Sequence, residues 1–239
     1  MKRELVVFEE PKSPVSEIFR SLRTNIQFTG DENKKIKTIL ITSTFTGEGK
    51  SWTAANLAVA FAQADNKVVL VDADMRRGRQ HKLFDVDPLP GFSNYLSRYN
   101  ANGQRVDVNM VECIRETNIP NLVVLPAGFV PENPAELLLT DRTTKILNEL
   151  KRSANIVIID APPSTMVADS IILSRLVDGI ILVVEQGQSK SENLKKITKD
   201  IKHVGGNILG VVMNKINTSK KKYSNEYYYY GQKNKLVIK

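Results

Sequence analysis

Lys37–Asn56, KTILITSTFTGEGKSWTAAN, is the stretch on which the fold turns. It opens on an apolar run suited to a buried strand and passes through a loop holding Gly47 and Gly49. Lys50 and Ser51 follow, and then a segment with helical spacing of Ala54, Leu57, Ala58 and Phe61. Each part suits a polyphosphate. Glycines let the main chain curl so that successive N–H groups point at phosphate oxygens. The helix that follows offers free amides and its positive dipole end to the same anion. Lys50 is placed to reach the outer phosphates and the Ser51 hydroxyl to ligate Mg²⁺. The pattern G-x-x-x-x-G-K-[ST] is met except at its first glycine, where Thr44 stands. A nucleotide site is the expectation, with a ligand-free turn between strand and helix as the bland alternative.

Composition limits the rest. A chain of 239 residues, 41% hydrophobic, suits a single α/β domain with a full core. No apolar run approaches the roughly 20 residues that span a bilayer. The start, MKRELVVFEEPK, has no apolar stretch of the kind a signal peptide carries. One cysteine, Cys113, excludes an internal disulfide, and His81 and His203 are too few for a histidine-rich metal site. The net charge of +8 is concentrated at one end: residues 215–239 hold seven lysines against Glu226 alone, so they carry +6 and the remainder +2. The domain itself is therefore not a basic nucleic-acid binder. A basic tail is solvated by default, or meets anionic headgroups or an acidic partner.

Along the chain, residues 1–13 read as extended and Ser13 as the N-cap of a helix near 14–29. On that helix Glu17, Arg20 and Arg23 recur every three residues. They form either a solvated face or, since arginine forks suit interface ion pairs, a contact between subunits. Lys67–Val71 is a continuous apolar strand ending in Asp72-Ala-Asp-Met-Arg76, which sets Asp72 and Asp74 where open α/β sheets hold ligands. Short helices are expected around Phe92–Arg98 and Val108–Thr117, and a strand over Asn121–Pro126. Asn155–Ile159 delivers Asp160 as an acid beside a cation. Asn207–Met213 is the last core strand, and Asn214 at its end either reads a purine edge or serves a turn. At least six strands alternating with helices predict a mostly parallel, twisted sheet covered on both faces, the fold of P-loop NTPases. Residues 1–216 form that domain. Residues 217–239 form a flexible tail holding five of the seven tyrosines, Tyr223, Tyr227, Tyr228, Tyr229 and Tyr230.

Four segments together resemble the bacterial tyrosine kinases of capsular and exopolysaccharide systems, in their stand-alone form. They are Thr46-Gly-Glu-Gly-Lys-Ser51, Val69-Leu-Val-Asp-Ala-Asp-Met-Arg76, Ile156-Val-Ile-Ile-Asp-Ala-Pro-Pro163 and the E-x-x-R-x-x-R element from Glu17 to Arg23. The tyrosine-rich tail completes the likeness, which runs from about residue 5 to 231. Two departures are Thr46, where the family commonly has proline, and Trp52, where it has a small or β-branched residue.

The resemblance implies an autokinase that takes ATP and Mg²⁺ and modifies the tail tyrosines of a neighbouring subunit. It implies a ring of copies built through Glu17, Arg20 and Arg23. It also implies activation by the cytoplasmic end of a membrane adaptor, a cognate phosphotyrosine phosphatase, and a place at the inner face of the plasma membrane. Lys50, Asp72 and Asp74 are the expected catalytic residues, Asp72 being the candidate base. Thr46, Gly47, Glu48, Gly49, Lys50, Ser51, Trp52, Arg76 and Asn214 are expected around the nucleotide, and Ser51, Asp74 and Asp160 around the metal. Competing readings are a partition or cell-division ATPase and a nucleotide-gated scaffold without phosphotransfer. Against the first, Phe45 stands where those proteins carry a signature lysine.

Overall fold

Continuous Val, Ile and Leu runs can be satisfied only when both faces of a strand are covered. That demand organises the computed structural model, which describes residues 4–29 and 35–216. Its strands are β1 Thr38–Ser43, β2 Val68–Asp72, β3 Arg115–Glu116, β4 Leu122–Leu125, β5 Ile156–Asp160, β6 Gly179–Glu185 and β7 Ile208–Asn214. They join in one sheet in the order β3-β4-β2-β5-β1-β6-β7. Every neighbouring pair is parallel except β3 with β4. Every residue of β1, β2 and β5 is buried.

The helices are α1 Val6–Glu9, α2 Pro14–Thr29, α3 Lys50–Ala62, α4 Gln80–Leu83, α5 Phe92–Ser97, α6 Met110–Cys113, α7 Pro134–Leu138, α8 Asp141–Ser153, α9 Asp169–Ser174 and α10 Ser191–His203. Alternate strand residues point to opposite faces, and the two cores divide accordingly. Ile39, Ile41, Leu70 and Ile158 pack with α3, α2 and α1. Leu40, Val71, Val157 and Ile159 pack with Ile146 and Leu150 of α8 and with Ile197 and Ile201 of α10.

Helix α3 is buried on all sides except at Trp52, which is what its run of alanines allows. Its outer side is covered by α2, where the Phe19 ring meets Trp52 edge-on at 5.3 Å. Arg23 of α2 donates from Nη1 to the Ala60 carbonyl near the end of α3 at 2.9 Å. Ser13 accepts from the Ser16 amide as an N-cap should.

Two local expectations give way to tertiary contacts. The N-terminal segment is not simply extended, because Val6–Glu9 forms a helical turn. Asn56 of α3 holds it, accepting from the Val7 amide at 3.0 Å and donating to the Glu4 carbonyl at 3.0 Å. The helix expected over 108–117 stops at Cys113. Arg115 and Glu116 are taken instead by the free edge of β4 as an antiparallel strand. Cys113 is buried, and burial pushes its thiol up to about 11.

At the amino-terminal end of the sheet Asp178 ties β1 to α8. Its Oδ2 accepts from the amides of Lys37 and Thr38, and its Oδ1 from Lys151 Nζ. Burial alone would raise this carboxyl, but those donors outweigh it and hold it below the usual range. A depressed folded-state pKa means stability that is present above the unfolded value and lost as pH falls through the folded one. Asp178→Asn should therefore destabilise the protein by about 1–3 kcal/mol at neutral pH. The difference from the parent should shrink below about pH 4, where the unfolded carboxylate of the parent titrates, and vanish in stronger acid. Urea melts of both proteins from pH 7 downward measure it; a gap that widens in acid contradicts the assignment.

Candidate active site

The loop after β1 lies at the carboxyl edge of the sheet, at the point where the chain turns towards β2 on one side and later β6 on the other. Gly47 and Gly49 have φ of +87° and +94°, the left-handed region in which a side chain is strained. Gly49 has a second reason to be glycine, since a Cβ there would lie 2.0 Å from Asn214 Nδ2. Glu48 does not face a ligand. Its buried carboxylate accepts from the Thr44 hydroxyl at 2.5 Å, the Phe45 amide at 2.8 Å and the Ser189 hydroxyl. It anchors the loop from beneath while Phe45, Thr46 and Gly47 stay exposed. Asn214 braces the same loop by donating to the Glu48 carbonyl at 2.9 Å.

Lys50 opens α3 and is the centre of the site. Its Nζ lies 2.8 Å from Asp74 Oδ2, 3.5 Å from Asp160 Oδ1 and 3.2 Å from Ser51 Oγ. The carboxyls converge because β2 and β5 are neighbours, with Asp72 directly in register with Asp160. Burial by itself would lower the Lys50 pKa, but Asp160 and Asp74 reverse that, so the ammonium is held charged. Asp72 is pushed up to about 8, first by burial and then by the facing Asp160. Its Oδ2 accepts from the amides of Arg79 and Gln80 at 2.8 and 2.9 Å, and its Oδ1 from the Asp74 amide at 3.3 Å. Asp74 Oδ1 in turn accepts from the Arg77 amide at 3.0 Å. The loop after β2 is wrapped around its own two acids.

Ser51, Asp74 and Asp160 offer oxygen only, the donor type Mg²⁺ takes. Asp160 Oδ1 is buried without a hydrogen-bond partner, which is the state of an oxygen suited to a cation. Among the described residues no group of three or more Asp, Glu, His or Cys could hold a metal alone. One or two carboxylates with substrate phosphates and water is the ordinary Mg²⁺ arrangement, so the residues present fit.

Lys50, Ser51, Asp72, Asp74 and Asp160 thus meet as the spacing predicts, but several expected roles shift. Asp72 is fully buried with both oxygens engaged by main-chain donors, and it clamps a loop where a base was expected. Trp52 turns away from the phosphate loop to pack on Phe19. Arg76 pairs two-pronged with buried Asp169 at the start of α9, at 3.1 and 3.2 Å. The side-chain nitrogen of Asn214 is committed to the loop, not offered to a base. On α2, Glu17 pairs with Arg20, whereas Arg23 reaches α3, a role inside the chain that the three-residue spacing did not reveal. Tyr223 and Tyr227–Tyr230 lie outside the described residues. Gln80 and Asp169 carry no motif and were missed. A polar residue shortly after a pair of acids was the one available signal for Gln80.

An AAA domain family model matches residues 36–212. Tyrosine-protein kinase YwqD of Bacillus subtilis is 37% identical over 239 residues, covering 100% of this chain and 96% of that protein. Tyrosine-protein kinase CpsD of Streptococcus agalactiae is 38% identical over 220 residues, covering 92% and 91%. The chimerical protein CapA2B2 superposes with a TM-score of 0.82 at 38% identity, covering 89% of this chain and 90% of that one. The cell-division ATPase reading is set aside by these matches, and the chain belongs to the bacterial tyrosine-protein kinases, nucleotide-binding P-loop enzymes that phosphorylate protein tyrosine.

Proposed function

We propose that the protein transfers the γ-phosphoryl group of Mg-ATP to tyrosines of its own tail, 217–239, in the service of capsular or exopolysaccharide synthesis. The observation that carries the site assignment is the convergence of Asp74 and Asp160 on Lys50, at 2.8 and 3.5 Å, at the root of the glycine loop. Loop amides from Thr46 to Ser51 cradle the phosphates, and Lys50 meets the β- and γ-phosphoryl oxygens with a charge fixed in advance. Ser51 and Asp160, with Asp74, would hold Mg²⁺, which supplies charge neutralisation where the phosphoryl group leaves. The tyrosine oxygen bonds to the γ-phosphorus, the bond to the bridging oxygen of ADP breaks, and the phenol proton passes to a carboxylate. A free phenol has a pKa near 10, so that acceptor matters at neutral pH. Asp74, only one of whose oxygens is held by a main-chain donor, suits the task better than Asp72, both of whose oxygens are held by main-chain amides.

The same reading places the enzyme in a ring of copies, engaged by the cytoplasmic end of a membrane adaptor and reset by a phosphotyrosine phosphatase. No helix among the described residues is long and apolar enough to cross a membrane, which supports attachment through an adaptor. Exposed Glu17 and half-exposed Arg20 suit an interface; Arg23 serves α3 at least as much.

Lys50→Met should abolish tail phosphorylation, by at least the 100- to 1000-fold of a lost preorganised charge, as about 3–4 kcal/mol implies. Mass-spectrometric phosphosite mapping after incubation with Mg-ATP reads it, and near-normal modification of a folded variant contradicts the role. Glu17→Ala with Arg20→Ala should move the assembly towards monomer in light scattering at unchanged melting temperature; an unchanged mass leaves the pair as a solvated face.

The between-subunit route has its own test. A Lys50→Met protein with an intact tail is mixed with an active protein whose Tyr223 and Tyr227–Tyr230 are phenylalanine. Phosphate should appear on the Lys50→Met partner, and its absence where wild type is modified rules that route out.

A further inference from the structure

We propose that Gln80 is a positioning residue for the cation, setting which oxygen of Asp160 is free by tying the other one to the phosphate loop. The proposal rests on the reading of Asp160 as a metal ligand. Gln80 is completely buried at the start of α4, outside every recognised motif. Its Nε2 donates to Asp160 Oδ2 at 2.8 Å and to the Ser51 carbonyl at 3.1 Å. Both partners only accept, so the amide can be oriented in one way alone. Its own main-chain amide donates to Asp72 Oδ2 at 2.9 Å. One residue therefore joins the phosphate loop, the acids after β2 and the acid of β5.

The consequence for Asp160 is specific. With Oδ2 held by the glutamine, Oδ1 is the oxygen left without a hydrogen bond, 3.5 Å from Lys50 Nζ. A carboxylate free to rotate would present either oxygen to the lysine or the cation. Held by Gln80, it presents one. Because the same nitrogen grips the carbonyl of Ser51, the two proposed ligands are kept in fixed relation.

A packing role alone does not explain the residue. Gln80 Oε1 is buried without a partner, and an unpaired buried amide oxygen is costly. An apolar side chain of equal length would fill the space without that cost. Partners that orient metal ligands typically contribute 10- to 100-fold in metal affinity or activity.

The test is a Mg²⁺ titration of fluorescent ADP-analogue binding to the full chain, beside a melting curve without nucleotide. Gln80→Met keeps the volume and removes both polar atoms. Its Mg²⁺ midpoint should rise about 10- to 100-fold while it melts within a few degrees of wild type. Gln80→Ala, which also loses volume, is judged on the same midpoint. A wild-type midpoint in either folded variant overturns the proposal, as does loss of fold in both, which would make Gln80 part of the scaffold. Asp160→Asn is the control. If it too leaves the midpoint unchanged, the metal reading of Asp160 has failed; if it raises the midpoint while Gln80→Met does not, only the positioning role has failed.

Discussion

Everything at the carboxyl edge of this sheet follows from one buried lysine. The side chain of Lys50 is 11% exposed, and an ammonium so placed is tolerable only with charged partners and hydrogen bonds in good geometry. Asp74 and Asp160 provide them. The arrangement also overshoots. One ammonium faces the carboxyls of Asp72, Asp74 and Asp160, and the raised pKa of Asp72 relieves only part of the excess. What remains is a negative surplus beside a loop built for anions. A divalent cation travelling with the phosphates would resolve both halves of that contradiction. In the fold, β2 beside β5 is the device that creates it, since parallel register forces Asp72 opposite Asp160.

The strands and the principal site were legible because they depend on local pattern. Continuous apolar runs marked β1, β2, β4, β5 and β7, and acids at strand ends marked Asp72, Asp74 and Asp160. What escaped were side chains whose partners lie far along the chain. Arg23 finds Ala60, Arg76 finds Asp169, Gln80 finds Asp160, and Asn214 finds Glu48. No spacing rule reports such pairs. Motif membership misled in two places. Trp52 and Glu48 sit within the phosphate-loop string, yet one side chain packs on α2 and the other holds the loop from below.

The burial of α3 connects the site to the N-terminal helices. A helix surrounded by core has no solvated face to absorb movement, so Lys50 and Ser51 are held by the packing of Ala54, Leu57, Ala58 and Phe61. That packing in turn requires α2 and the turn at Val6–Glu9, which Asn56 fastens in place. Phe19 against Trp52 and Arg23 against Ala60 thus join α2 to the helix that carries Lys50 and Ser51 by direct packing.

The root of the tail is fixed at the site itself. Asn214 holds the phosphate loop, its carbonyl accepts from the Gln186 amide at 3.1 Å, and Lys215 pairs with Glu185 at 2.7 Å. Reach is therefore counted from Ile216, seven residues before Tyr223 and fourteen before Tyr230. At about 3.3–3.6 Å per residue the spans are at most about 25 and 50 Å. Neither bound separates the chain's own site from a neighbour's. In the proposed ring of copies, a neighbour's site within that reach would meet the tail at an effective concentration in the millimolar range. Charge then sets the sequel. Each phosphate adds about −1.5 to −2, so four would at least cancel the +6 of residues 215–239 and five would reverse it. On the proposed reading, a tail drawn by its lysines to bound phosphates would, once modified, be repelled by them. Phosphorylation would thus weaken the attraction that brings the tail in, and the assembly would loosen as phosphate accumulates.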